Sequence, residues 1–172
     1  ERVEMNFEKA SHLAQQIKNS IRDKIKLSCS IGISPNKLIS KIASDFQKPD
    51  GLTIVSPEKV EAFLEPLKIR TIPGIGKKTE DRFSEMKLET IQDLKKIDIF
   101  TLNKFFGRKT GAYIHNAARG IDNEPVKKRE ARIQYSKITT LKQDSKDYGF
   151  LSENISELCK EVHSVVKKNN QM

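Results

Sequence analysis

Tryptophan is missing from these 172 residues, and cysteine (two), histidine (three) and methionine (three) are scarce. Each shortage closes off a class of function. A structural zinc site takes four closely spaced Cys or His ligands, and neither a CxxC pair nor a His ligand spacing occurs. Cys29 and Cys159 both sit in apolar patterns, so buried free thiols of a reducing compartment are expected rather than a disulfide. His12, His115 and His163 lie far apart, and His115 is expected to pack or face solvent on its own helix. No apolar run is long enough to span a bilayer. No basic amphipathic stretch carries a Trp- or Phe-rich face, so a membrane surface is not the expected partner. There is no Walker loop and no Ser-His-Asp arrangement. A two-metal phosphoryl transferase needs clustered carboxylates. Asp45 and Asp50 flank a helix end and a turn without an acidic neighbour, so no metal site is expected within the chain.

What the chain has in excess is positive charge. Lys and Arg number 32 against 23 Asp and Glu, a net charge of +9 and a pI near 9.5. That balance is the electrostatic footprint of a nucleic-acid binder. The most informative run is Ile72-Pro73-Gly74-Ile75-Gly76-Lys77-Lys78-Thr79, which has the form of a helix-hairpin-helix. Two glycines let the backbone turn sharply and approach a ligand without Cβ interference. The amides that follow open a helix, a ready anion site. Such a hairpin grips a phosphate and ignores the base. The plainer alternative is an αα turn with glycine at a helix C-cap. Gly107-Arg108-Lys109-Thr110 follows Phe106 as a degenerate second hairpin, with a packing turn as its alternative.

The remaining organisation follows from periodicity. Phe7, Ala10, Leu13, Ala14, Ile17 and Ile21 predict a helix over 7–24. Leu27, Cys29, Ile31 and Ile33 alternate as a strand. Leu38 to Phe46 returns to helical period, Lys48-Pro49-Asp50-Gly51 is a turn, and Leu52 to Val55 is a second strand. Residues 1–55 thus read α-β-α-β. Ser56 is the expected N-cap of a helix with Pro57 at N1. From there to Gly120 only short helices are expected, with apolar positions at Val60, Phe63, Leu64, Leu67, Phe83, Met86, Ile91, Leu94, Ile97, Ile99, Leu102, Phe105 and Phe106. Residues 121–132 carry no apolar period and read as a linker. Between Lys127 and Lys146 seven basic residues face two acidic ones. A charge run is usually solvated, but beside a DNA-binding hairpin Lys127, Lys128, Arg129 and Arg132 are expected to reach phosphates. Ile133 to Leu141 predicts a strand with a bulge. Tyr148, Leu151, Ile155, Leu158, Val162 and Val165 form a helical stripe, expected to be a core helix rather than a coiled coil. One strand and one helix bury no core alone, so this last unit reads as truncated. The chain opens at Glu1 without a signal peptide, and a piece of a longer intracellular protein is expected.

Ile31-Gly32-Ile33-Ser34-Pro35-Asn36-Lys37, then Lys41-Ile42-Ala43-Ser44-Asp45, then Lys48-Pro49-Asp50-Gly51, resemble the end of the palm in Y-family DNA polymerases of the bacterial and archaeal bypass type. The hairpin at Pro73 to Gly76 falls where that family's thumb begins its own, and Gly120-Ile121-Asp122-Asn123-Glu124-Pro125 resembles the thumb's end. The order of these blocks is more specific than any one of them, and they cover nearly the whole chain.

The resemblance implies an α+β chain. It would comprise the C-terminal part of an α/β palm (1–55), an all-helical helix-hairpin-helix thumb (56–122), a basic linker (123–132) and the start of a little finger (133–172), one strand and one helix of that domain. It implies that Lys48 touches the triphosphate of an incoming dNTP, a role suited to a mobile point charge; without the family it reads as a solvated turn lysine. Lys37 and Lys41 match family positions on one helix, where one supports DNA or the active site. Gly74, Ile75, Gly76, Lys77, Lys78 and Thr79, with Gly107, Arg108, Lys109 and Thr110, are the expected DNA contacts of the thumb, where main-chain carbonyls also hold a cation in that family. The Mg²⁺ ligands and the fingers of the family lie upstream of these residues, so the segment alone is expected to bind primer-template DNA and dNTP but not polymerise. It is expected to be monomeric and cytoplasmic, at the nucleoid, and any sliding-clamp contact falls beyond Met172. Near the linker, Ala131-Arg132-Ile133-Gln134-Tyr135-Ser136 departs from the family's basic-serine pattern.

Two rival readings remain. A non-enzymatic junction or repair scaffold would use tandem hairpins, but would not need the α-β-α-β start or the Lys48 turn. An RNA-binding module would need an aromatic stacking platform, which is missing.

Overall fold

A computed structural model of the chain describes residues 7–128 and 134–169. The long first helix forms as its period predicts, α1 at Phe7–Ile25. Its inner face differs from the apolar stripe. Ala14 and Lys18 are its buried residues, while Leu13 and Ile17 are exposed. Strand β1 is only Ile31–Ile33, because that stretch alone finds a partner in β2 (Leu52–Ile54). The two strands are parallel, with Ile31 opposite Leu52 and Ile33 opposite Ile54. A parallel pair requires a crossover, and α2 (Lys37–Phe46) supplies it. The crossover lies tight against β1 at Gly32, where a Cβ would come within 2.2 Å of the Ser40 carbonyl oxygen. The Lys48–Pro49 peptide between α2 and β2 is cis.

Ser56 holds the expected N-cap position with Pro57 next, but its side chain makes no capping bond and the helix it opens is 3₁₀. Its hydroxyl turns to Glu58, and Pro57 opens a 3₁₀ turn (Pro57–Lys59) ahead of the short α3 (Val60–Leu64). After a second 3₁₀ turn at Ile69–Thr71 come α4 (Lys77–Glu85), α5 (Ile91–Lys95), α6 (Ile99–Phe106) and α7 (Arg108–Ala118). The α5 start is a capping box between Thr90 and Asp93, whose hydrogen bonds, those from the Thr90 side chain first, lower the Asp93 carboxyl to about 2. The fully buried side chains of these helices, Phe83, Leu94, Leu102 and Ile114 among them, join Ile39 and Ile42 of α2 in one core. Each such residue contributes about 1.5–3 kcal/mol by leaving water.

The chain divides into two compact units, Glu1–Val126 and Lys127–Met172. The second corrects two expectations. Of the strand expected from Ile133 to Leu141, Ile133 lies outside the described residues and 134–141 form no strand, and α8 (Tyr148–Asn169) fully buries none of its stripe, Ile155 being 60% exposed. A strand needs a partner for its amides and carbonyls, and one helix beside an extended segment has too little to pack on. For the same reason Cys159 is exposed rather than buried; Cys29, in the first unit, is half-buried, and both thiols are free. Among the described residues no helix is long and apolar enough to cross a membrane, and no cluster of His, Cys, Asp or Glu could hold a metal.

Candidate nucleic-acid interface

The first hairpin is a turn followed directly by a helix. Ile72 accepts from the Ile75 amide at 3.1 Å, with Pro73 and Gly74 between them. Proline suits the first corner of such a turn, and the second requires positive φ. Gly74 meets that demand with φ +87°. Ile75 tucks into the core, 6% exposed, and anchors the loop from below. Gly76 is then the N-cap of α4 with φ −90°, a backbone any residue adopts. A Cβ on Gly76 would meet nothing within 4 Å. Neither packing nor backbone conformation therefore requires glycine there, and what the fold gains from it is the mild N-cap preference for glycine over alanine. What glycine leaves is bare backbone facing outward, beside the amides of Gly76, Lys77 and Lys78, which donate to no acceptor among the described residues. Lys77 leans 3.6 Å from Asp81, and Lys78 is exposed, with no ion pair among the described residues. The Thr79 amide turns inward to the Gly76 carbonyl at 3.0 Å. Free amides, two cations and the positive end of a helix together make an anion site.

The second hairpin has no loop. Gly107, φ +80°, is both the end of α6 and the start of α7. Arg108, Lys109 and Thr110 fill the exposed first turn of α7, and neither cation has an acidic partner among the described residues. The sequence does not point to Tyr113, yet it joins the two sites. From α7 its hydroxyl donates to the Pro73 carbonyl oxygen at 2.6 Å. Burial, with the Asp122 charge second, pushes the Tyr113 phenol above its usual range, so it remains a donor well into alkaline solution. Arg82 of α4 adds a 3.4 Å bond to the Phe105 carbonyl just before the second hairpin.

A third cationic group lies at the end of α2. Lys41 and Lys48 both reach Asp45, each at 2.7 Å. These hydrogen bonds, Lys41's first, hold the Asp45 carboxyl below the usual carboxylate range. Two ammonium groups on one carboxylate leave a net positive charge, and Lys48 stays 65% exposed. Lys37 is not part of this group. It lies one turn before Lys41, at the start of α2, and pairs with Glu124 at 2.7 Å. That end of α2 is instead a joint to the segment after α7. Asn36 donates to the Gly120 carbonyl at 2.8 Å, and Asp122 accepts from the Leu38 amide at 3.0 Å. Gly120 has φ +71°, and a Cβ there would lie 2.4 Å from Val60, so this passage admits no side chain. Lys127 and Lys128 are exposed in an irregular segment; Arg129 and Arg132 lie outside the described residues.

The sequence does not single out Lys18 either. Its Nζ donates to the carbonyls of Cys29, Asp50 and Gly51 and to Asp50 Oδ1, at 2.6, 2.9, 3.2 and 2.6 Å respectively. The one signal that could have found it is its place four residues after Ala14, on the inward face of α1.

Known proteins resemble this chain over most of its length. Residues 70–122 match a family described as the thumb domain of DNA polymerase iota, and residues 1–45 match the impB/mucB/samB family. DNA polymerase IV of Nitrosopumilus maritimus is 77% identical over 171 residues, covering 99% of this chain and 47% of that protein. Among solved structures, a Y-family DNA polymerase chimera superposes with TM-score 0.80 at 30% identity, covering 92% of this chain and 46% of the chimera. An insertion ternary complex of Dbh DNA polymerase gives TM-score 0.71 at 31% identity, covering 95% and 47%. The chain spans about half the length of the relatives it matches.

Proposed function

Since this chain belongs to the Y-family of DNA polymerases, in the segment of DNA polymerase IV that carries the thumb, we propose that it serves a translesion polymerase by gripping primer-template DNA and the triphosphate edge of the incoming dNTP. The observation that carries this reading is the first hairpin: a glycine without a packing role, at Gly76, beside three amides without acceptors among the described residues. A phosphate fits there; a base edge finds nothing to read. The second hairpin, through Gly107, Arg108, Lys109 and Thr110, takes a neighbouring phosphate, and Tyr113 holds the two turns in register. Lys127 and Lys128 are further contacts to phosphate.

At the end of α2, Lys48 meets the triphosphate. Lys41 stands beside it through Asp45, which keeps both ammonium groups aligned until a stronger anion arrives. Lys37, tied to Glu124, supports the joint instead. Residues 1–55 would be the end of the palm, 56–122 the thumb, 123–132 the linker and 133–172 the start of the little finger. Mg²⁺ supplies the charge stabilisation of nucleotidyl transfer, but the described residues do not fit it, since they gather no carboxylate cluster. No step is therefore assigned to the ion in this segment, and its ligands belong to the longer polymerase. Action at the prokaryotic nucleoid, synthesis across damaged templates as part of the DNA-damage response and a clamp contact outside residues 1–172 belong to the same reading.

The test is DNA binding and primer extension side by side, with this segment and with the full-length polymerase. Binding by both and extension by the full-length protein alone is the expected result. A full-length protein that binds DNA yet never extends a primer would favour the non-enzymatic scaffold and remove the role given to Lys48.

A further inference from the structure

Lysine is almost never fully buried unless its charge is met. Lys18 is 5% exposed, and four oxygens converge on its ammonium group. Three belong to Asp50 and Gly51, the second half of the Lys48-Pro49-Asp50-Gly51 turn; the fourth is the Cys29 carbonyl, on the approach to β1. Arg22, one turn further along α1, holds the other Asp50 oxygen. The Gly51 amide donates to Ser30 at 3.0 Å, and the Gly51 carbonyl also accepts from the Ile31 amide at 3.1 Å. The turn is therefore fastened from α1 and from β1 together.

Packing alone does not call for this arrangement. A helix lying on a sheet is served by an apolar side chain, and exchanging buried charges for hydrophobic groups of similar volume is often neutral or stabilising. What an ammonium does, and a leucine cannot, is draw several carbonyls to one point and fix the path of a polar turn. Lys48 is two residues from Asp50 in that turn. Its own side chain is long and exposed and rests on Asp45, so its reach is set by where the turn places its backbone.

We propose that Lys18 is a positioning residue for the nucleotide site: it fixes the turn that presents Lys48 to the triphosphate. The proposal rests on the reading of Lys48 as the nucleotide contact. Displacement of a substrate-binding group by about an ångström can cost on the order of 100-fold in kcat/KM, and because the displaced group holds the triphosphate already in the ground state, the loss falls on KM.

The experiment is single-nucleotide insertion by the full-length polymerase, with primer-template affinity measured on the same samples. The variants are Lys18→Met, Asp50→Ala, Lys48→Ala and the double Lys18→Met with Lys48→Ala. The expected result is a rise in KM for dNTP of roughly 10- to 100-fold in Lys18→Met, with DNA affinity unchanged. The double variant should be no worse than Lys48→Ala, because Lys18 acts only through Lys48. Should Lys18→Met fail to fold by circular dichroism, Asp50→Ala carries the test. It removes the half-exposed carboxylate from the same junction and should raise KM in the same way. Unchanged KM in the folded Lys18 or Asp50 variant, while Lys48→Ala raises it, overturns the proposal alone. A loss of DNA affinity and kcat with KM unchanged, the mark of a general structural role, also overturns it. Unchanged KM in Lys48→Ala overturns the nucleotide reading and this proposal with it.

Discussion

At the first hairpin a loop from Pro73 to Gly76 stands between a 3₁₀ turn and α4; at the second there is no loop, and Gly107 alone closes α6 and opens α7. The first offers bare backbone, with a second glycine that packing does not need. Its charge is partly spent internally, Lys77 on Asp81 and Arg70 on Glu80. The second offers one glycine instead of two, with the amides of Arg108, Lys109 and Thr110 likewise without acceptors, and leaves Arg108 and Lys109 without acidic partners among the described residues. Glycine count and charge are thus separate properties of a phosphate grip. Glycine governs how near the phosphate comes, and so the short hydrogen bonds. Unpaired cations govern attraction at a distance, which salt screens. By sequence the second hairpin is the weaker motif; by charge it is the better provided.

This division can be broken first at Gly74. Gly74→Val with Lys77→Ala places a β-branched residue at positive φ and removes a cation. DNA affinity should fall roughly 10- to 100-fold, equally on unrelated sequences, as read by fluorescence anisotropy. Unequal losses between sequences would mean that bases are read. Next, Arg108→Ala with Lys109→Ala should lower the slope of log K against log salt by about 0.9 for each phosphate that is no longer neutralised, while Lys77→Ala alone should change it less. Equal slopes would erase the distinction between the hairpins. A smaller effect is expected at the link between them. Tyr113→Phe removes one hydrogen bond to Pro73, and DNA affinity should drop about fivefold, the equivalent of roughly 1 kcal/mol. No change would mean that the hairpins act independently.

Much of this was legible in the residues, for identifiable reasons. The order α1, β1, α2, β2 follows from periodicity, and the first hairpin from Pro73, Gly74 and Gly76 in register. What was not legible depends on partners distant in sequence. Leu27 to Ser30 alternate as well as Ile31 to Ile33 do, but only the latter lie opposite β2. The stripe of α8 is regular, yet regularity does not supply a surface to pack against. Lys18 looks like any polar helix residue until Asp50 and Cys29 fold onto it. Tyr113 carries no local signal, and its hydroxyl acquires a role only when Pro73 arrives from 40 residues away. In the site, residue types were visible and pairings were not: Lys41 and Lys48 share Asp45, whereas Lys37 belongs to Glu124.

The phosphate grip of the first hairpin stands or falls with Gly76→Ala. No atom lies within 4 Å of the added methyl group, and the backbone there suits any residue. Fold stability should change by less than about 1 kcal/mol, because the freedom that alanine removes from the unfolded chain is offset by the preference for glycine over alanine at an N-cap. DNA affinity should nonetheless fall by at least about threefold, because the methyl group stands where the phosphate must approach. A stable Gly76→Ala variant that binds DNA as tightly as the parent would contradict the account, since the glycine would then serve neither the fold nor the grip.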